Sequence, residues 1–140
     1  MNQCFQDAIA LTRYYHGFDL FITFTHNLLW PKIKYTFLLE QVAADCPDLT
    51  VHVFNIYKTS LIEHLTKKNA FGLALGHVYT IEFQKRGLSH MHLLLSLSPR
   101  FCPTTLEEVD TIIRATWPDP IHEPHLFNIV KHCMVHGPCR

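Results

Sequence analysis

The stretch Tyr79–Leu97, reading YTIEFQKRGLSHMHLLLSL, constrains this chain more than any other. Tyr79, Ile81 and Phe83 alternate with Thr80 and Glu82, the period-two pattern of a half-buried strand. Gln84–Lys85–Arg86–Gly87 is polar and ends in a glycine, as a hairpin loop requires. His90–Leu97 returns as an apolar run too short for a typical helix and bounded by Pro99. If Phe83 pairs with Ser89, Glu82 falls opposite His90. His92 then shares their face, because side chains two apart on a strand point the same way. Met91, Leu93 and Leu95 turn to the packed side. Two imidazoles and a carboxylate on one face are a candidate set of three ligands, His90, His92 and Glu82, for a divalent metal. An H-x-H pair alone is equally what two solvent-facing histidines look like; Glu82 is what adds a third donor.

The chain has 140 residues, 48% of them hydrophobic, which suits one domain with its own core. It contains no apolar run of 18 residues, so no membrane span is expected, and its start lacks the build of a signal peptide. Five irregularly spaced cysteines argue for a reducing, intracellular compartment rather than a disulfide framework. The net charge is zero, so contact with nucleic acid has to come from local patches or from parts of a longer protein. Eleven histidines are the compositional hint of metal chemistry.

Taken in order, residues 2–15 read as a helix stopped at His16–Gly17. Asp19–Thr25 reads as a strand with apolar residues on both faces, either covered on each side or facing a site through Thr23 and Thr25. Pro31 opens a helix with Ile33, Phe37, Leu38 and Val42 as its apolar stripe, stopped at Cys46–Pro47. Asp48 caps the next helix, 49–68, where Val51, Phe54, Tyr57, Leu61 and Leu65 face a sheet and His52 and His64 face water. Residues 71–83 enter the sheet, with Gly72 and Gly76 as bulge or close-approach points. Lys85 and Arg86 in the turn are either a charged loop or a phosphate contact. A capping box, Thr105 with Glu108, starts a helix with Val109, Ile112 and Ile113 on its buried side, closed at Trp117–Pro118. A last short helix spans 126–134. The tail supplies His132, Cys133, His136 and Cys139, whose spacing is no recognised zinc pattern.

Three blocks carry a family resemblance. EFQKRGLSHMHLLL resembles the histidine-hydrophobic-histidine segment of the Rep nuclease domain of Helitron transposases, which are HUH-type rolling-circle endonucleases with a helicase downstream. Ser89 stands where proline is common in that family. YYHGFDLFITFTHN resembles the family's F-T-rich strand, with His26 in place of a common cysteine and Leu28 in place of a common proline. HCMVHGPC resembles the segment that precedes further cysteines in relatives. Together the blocks run from about Cys4 to Cys139.

The expected fold is α+β, an antiparallel sheet of about four or five strands with helices mainly on one face. The metal hairpin is expected in its middle because His90–Leu97 is too apolar for an exposed edge. The resemblance implies that this is the ferredoxin or RRM-like HUH core. It also implies a metal-binding half-site that nicks and joins single-stranded DNA using Mn²⁺ or Mg²⁺, in a nuclear protein. Lys85, Arg86, Thr23 and Thr25 are its candidate DNA contacts. Family members attack DNA with one or two tyrosines on a downstream helix. None of this chain's five tyrosines fits that role by position, and no G-x-x-x-x-G-K-[ST] helicase loop occurs. The expectation is therefore one domain, 1–140, C-terminally incomplete, with no catalytic nucleophile of its own and the helicase portion absent. The competing readings are a non-catalytic single-stranded nucleic-acid-binding module, which would need exposed aromatics and a basic groove, or an inactive transposon remnant.

Overall fold

The computed structural model describes residues 3–15, 17–28, 30–36, 45–84 and 87–134. They fall into two compact units, Met1–Cys102 and Pro103–Arg140. In the first, helix α1 (Gln3–Tyr14) precedes strand β1 (Leu20–Thr25), a single-turn helix α2 (Pro31–Lys34), the long helix α3 (Pro47–Thr66) and the hairpin β2 (Ala74–Phe83) and β3 (Ser89–Leu97). The strands form an antiparallel sheet in the order β1-β3-β2. The architecture is α+β, as expected. Among the described residues the sheet has three strands rather than four or five; these are the three stretches whose residues carry strand patterning.

β3 is the middle strand because its sequence can be covered on one face and is paired along both edges. Met91, Leu93, Leu95 and Leu97 are all buried. Fully burying each such side chain contributes about 1.5–3 kcal/mol. Helix α3 covers that face. Its Val53, Phe54 and Leu65 are buried, and the Phe54 ring lies 5.3 Å from Phe24 of β1. Trp30 extends the cluster, with its ring 5.6 Å from Phe24 and 4.3 Å from Tyr57. Ile33 of α2 is completely buried. His52 and His64 of α3 are exposed, as their positions on the helix require.

The α3 start differs from expectation. Cys46 is the N-cap and Pro47 the first helical residue, so Asp48 lies in the first turn, where its charge favours the positive end of the helix. Phe37, Leu38 and Val42, expected on the preceding helix, lie outside the described residues. β1 begins at Leu20, yet Asp19 extends the pairing with its own groups. Its N–H donates to Leu95 O at 3.0 Å, and its carboxylate accepts from Leu97 N at 2.6 Å and from Cys102 Sγ at 3.0 Å.

Gly76 sits at the register shift of β2, and a Cβ there would come within 2.5 Å of the Tyr15 ring. The glycine is therefore both bulge and close-approach point, the two uses that a glycine inside a strand has.

The second unit holds α4 (Leu106–Ile112), α5 (Pro124–Ile129) and a π-helical turn, α6 (Val130–Met134). The Thr105–Glu108 capping box forms, and Glu108 Oε2 also accepts from Thr104 N at 2.7 Å. Those backbone donors hold the Glu108 carboxyl below its usual range. The helix ends four residues earlier than the expected Trp117–Pro118 boundary would place it. Ile113 is already extended, at the end of a β-branched run, Thr111–Ile113, that favours extended backbone. No α4 residue is buried: Ile113 is exposed, and Val109 and Ile112 are only half-buried, against the expected buried side. Asp119 binds His122 Nδ1 at 2.6 Å and accepts from Ile121 N at 2.7 Å; both hold its carboxyl low. Arg114 donates to both Glu123 oxygens, at 3.0 and 3.1 Å.

One core group is out of character. His26 is 5% exposed, its ring lies 5.0 Å from Trp30 and 6.0 Å from Phe54, and neither ring nitrogen has a hydrogen-bond partner. Burial lowers its pKa, so the folded chain holds it neutral. Unfolding frees the ring to take up a proton below about pH 6.5. The stability this gives is present above that pH and lost as pH falls through the lowered folded value, because the unfolded state binds more protons. We expect the urea midpoint of the wild-type chain to fall more between about pH 7 and about pH 5.5 than that of His26→Phe. Equal slopes would show that His26 does not titrate on unfolding.

Candidate metal and nucleic-acid site

Register decides where the three candidate ligands lie. Phe83 pairs with Ser89, Glu82 with His90 and Thr80 with His92. On the other edge of β3, Thr25 pairs with His90 and Thr23 with His92. The strand alternation therefore puts Phe21, Thr23, Thr25, Val78, Thr80, Glu82, His90, His92 and Leu94 on one face, opposite the side covered by α3. Tyr79, with Ile81, is on the α3 side.

This face is open to solvent where it matters. Phe21 is 63% exposed, and Thr23 and Thr25 are exposed. The Glu82 side chain is 66% exposed and that of His92 31%. The two imidazoles stand edge to face with centroids 4.5 Å apart. Glu82 is opposite His90 along the backbone, yet its carboxylate reaches diagonally, with Oε2 3.6 Å from His92 Nε2. Each ring has its own support. His90 Nδ1 lies 2.7 Å from Thr25 Oγ1. His92 is stacked on Phe21, 5.5 Å between centroids and 7° between planes. His92 Nδ1 is buried without a hydrogen-bond partner.

The donor types suit a divalent ion, and the 3.6 Å gap between His92 Nε2 and Glu82 Oε2 is near the roughly 3–3.5 Å separating two atoms that each sit about 2.1 Å from one ion. Among the described residues, however, no group of three or more His, Cys, Asp or Glu side chains is already gathered around an ion-sized point. His90, His92 and Glu82 share the open face without forming such a group.

The other candidates are scattered. Lys85 and Arg86 lie outside the described residues. His132 and Cys133 are exposed in α6, and His136 and Cys139 lie outside the described residues. The aromatic neighbour of His92 was not apparent from the sequence. Phe21 shares the parity of Thr23 and Thr25, which was the available signal, but the strand reads as apolar on both faces.

With the geometry in place, the comparison with known families decides the lineage. The model of the Helitron helicase-like domain at the N-terminus matches residues 1–95, about two thirds of the chain. The chain belongs to this Helitron family. It is thus a transposon-related protein, and the matched residues contain the whole three-stranded sheet up to Leu95. No curated protein matches the chain. Among the described residues no helix is long and apolar enough to cross a membrane.

Gly87 precedes β3 of the Helitron hairpin in a left-handed backbone conformation. It has φ +74°, and Gly87 N donates to Gln84 O at 2.7 Å. A Cβ there would meet nothing within 4 Å, so a substitution is strained by backbone conformation alone. Gly87→Ala should cost about 1 kcal/mol in urea unfolding and Gly87→Asn less, because asparagine tolerates the left-handed region. A neutral Gly87→Ala would show that the turn relaxes to another shape.

Proposed function

We propose that this chain is the metal-binding half of a single-stranded-DNA nicking and joining site in a Helitron-like transposon protein, with His90, His92 and Glu82 holding Mn²⁺ or Mg²⁺. The observation that carries this reading is the charge of the open face. Among its strand side chains there is one carboxylate, Glu82, and no lysine or arginine. A face of that kind has nothing of its own to attract a phosphate. A bound divalent ion would reverse its sign and polarise a phosphodiester oxygen. Nitrogen donors favour Mn²⁺ over Mg²⁺.

The protein's own part in this chemistry is positional. β3 carries both imidazoles on a rigid central strand, β2 delivers the carboxylate, and the exposed Phe21 offers a flat surface beside the site on which a base can stack. Lys85 and Arg86, with Thr23 and Thr25, are the proposed DNA contacts. Phe21 also keeps a second reading in play, a module that binds single-stranded nucleic acid without chemistry. Its exposure supplies the one aromatic on this face that such a module needs. An inactive remnant would show neither property.

Titration calorimetry on the 140-residue chain should show one Mn²⁺ site that is lost in His90→Ala and in His92→Ala. Binding unchanged in both variants would rule the pair out and point to the histidine- and cysteine-bearing tail. A single-stranded oligonucleotide should bind more tightly with Mn²⁺ than without it, and less tightly as salt rises. Equal binding with and without metal would favour the non-catalytic module, and no binding in either case the remnant.

Strand cleavage needs a nucleophile beside the metal, and the described tyrosines are not there. Tyr14 stands against Tyr15, Tyr35 caps the end of α2, Tyr57 packs on Trp30, and Tyr79 is on the α3 face. Tyr15 lies over Gly76, six residues and so about 20 Å along β2 from Glu82. The 140-residue chain should therefore bind metal yet form no covalent 5′-phosphotyrosyl product, since a positioned nucleophile contributes many orders of magnitude. A covalent adduct trapped on denaturing gels would make one of these five tyrosines the nucleophile and overturn the half-site reading.

A further inference from the structure

The geometry points to Thr25 as the positioning residue of His90: its hydroxyl accepts a hydrogen bond from His90 Nδ1–H and so leaves the lone pair on Nε2 for a divalent cation. The proposal rests on the metal reading above and adds to it a task for β1, which contributes no metal ligand.

Three observations carry it. First, Thr25 and His90 are direct cross-strand partners, with Oγ1 and Nδ1 2.7 Å apart, a short contact for this kind of hydrogen bond. Second, the two histidines are not equivalent. Thr23 and Thr80 flank His92 in the same way, yet His92 Nδ1 is without a partner, so hydroxyl orientation is a property of His90 alone. Third, threonine is stiff about χ1, and Thr25 ends a strand bonded to β3 along its length, so the oxygen is held in place before any ion arrives.

The chemistry selects one of two arrangements. A neutral imidazole has one N–H and one lone pair. If the hydroxyl donated to Nδ1, the proton would sit on Nε2 and the ring could not ligate from that side. If Nδ1–H donates to the hydroxyl, Nε2 is bare. The Thr25 hydroxyl proton is then free to bond water, which its exposure allows. Metal-binding histidines commonly give their second ring N–H to such an outer partner, and losing that partner typically costs 10–100-fold in affinity.

Two measurements on the full 140-residue chain test this. Long-range nitrogen–proton NMR on the metal-free, uniformly ¹⁵N-labelled chain, at a pH where the ring is neutral, reads the tautomer directly. We expect the His90 proton on Nδ1 in the wild type and in Thr25→Ser, and a shift toward Nε2–H in Thr25→Val. Mn²⁺ titration should show Thr25→Val weakened by about 10–100-fold and Thr25→Ser within a few-fold of wild type. A wild-type His90 carrying its proton on Nε2 overturns the proposal, as does a Thr25→Val that binds Mn²⁺ like wild type. Should Thr25→Val fail to fold, the wild-type tautomer together with Thr25→Ser decides. If His90→Ala and His92→Ala both leave Mn²⁺ binding intact, the metal reading falls, while the tautomer of the metal-free chain still tells whether Thr25 orients the ring.

Discussion

Everything distinctive about this chain depends on the pairing of β3 with both its neighbours in one register. With Glu82 opposite His90 and Thr25 opposite the same residue, Met91, Leu93 and Leu95 enter the core and His90 and His92 leave it. A slip of one residue along either edge would exchange the two sets. It would bury two imidazoles against Phe54 and expose three large apolar side chains. The burial of those side chains under α3 therefore does two things at once. It stabilises the sheet and holds the histidines on the outer face, so the site is a consequence of the core rather than an addition to it.

The two faces of the sheet are governed by different physics. Beneath β3, the aromatic cluster of Phe24, Trp30, Phe54 and Tyr57 tolerates an imidazole, His26, only by keeping it neutral. Above it, the imidazoles are held by one ring stack and one hydroxyl contact, while the Glu82 carboxylate beside His92 is exposed. Two imidazoles and one carboxylate are the donor types of the divalent-ion site proposed for this face. The same arrangement without an ion leaves a weakly negative, partly aromatic surface.

The family match and the geometry bear on different questions. Membership of the Helitron helicase-like N-terminal domains establishes lineage over residues 1–95. The H-x-H pair, the opposing carboxylate and the uncharged surroundings bear on chemistry, and they do so through residue types and spacings that can be changed one at a time.

The sequence by itself determined the hairpin and its register, because alternation, a polar turn ending in glycine and an apolar return strand are local signals that the core enforces; of the hairpin expected in the middle of the sheet, β3 is there and β2 forms an edge. It also determined the capping box at Thr105 and the solvent-facing histidines of α3. The start of α3 at Pro47 and the early end of α4 at Ile112 were not legible, since competing breakers and β-branched residues are settled by small differences in local backbone energy. Only the tertiary structure decided which groups orient the two imidazoles. Phe21 and Thr25 are some seventy residues from His90 and His92; the parity of Thr23 and Thr25 marks a side of β1 that could face a site, but only the pairing of the strands sets Thr25 opposite His90 and the Phe21 ring against His92. It also decided that His26 lies in the core, where the aromatic neighbours that exclude water come from α3 and the loop at Trp30. Contacts of that range exist only once the strands have paired, and so they belong to the fold rather than to any stretch of the chain.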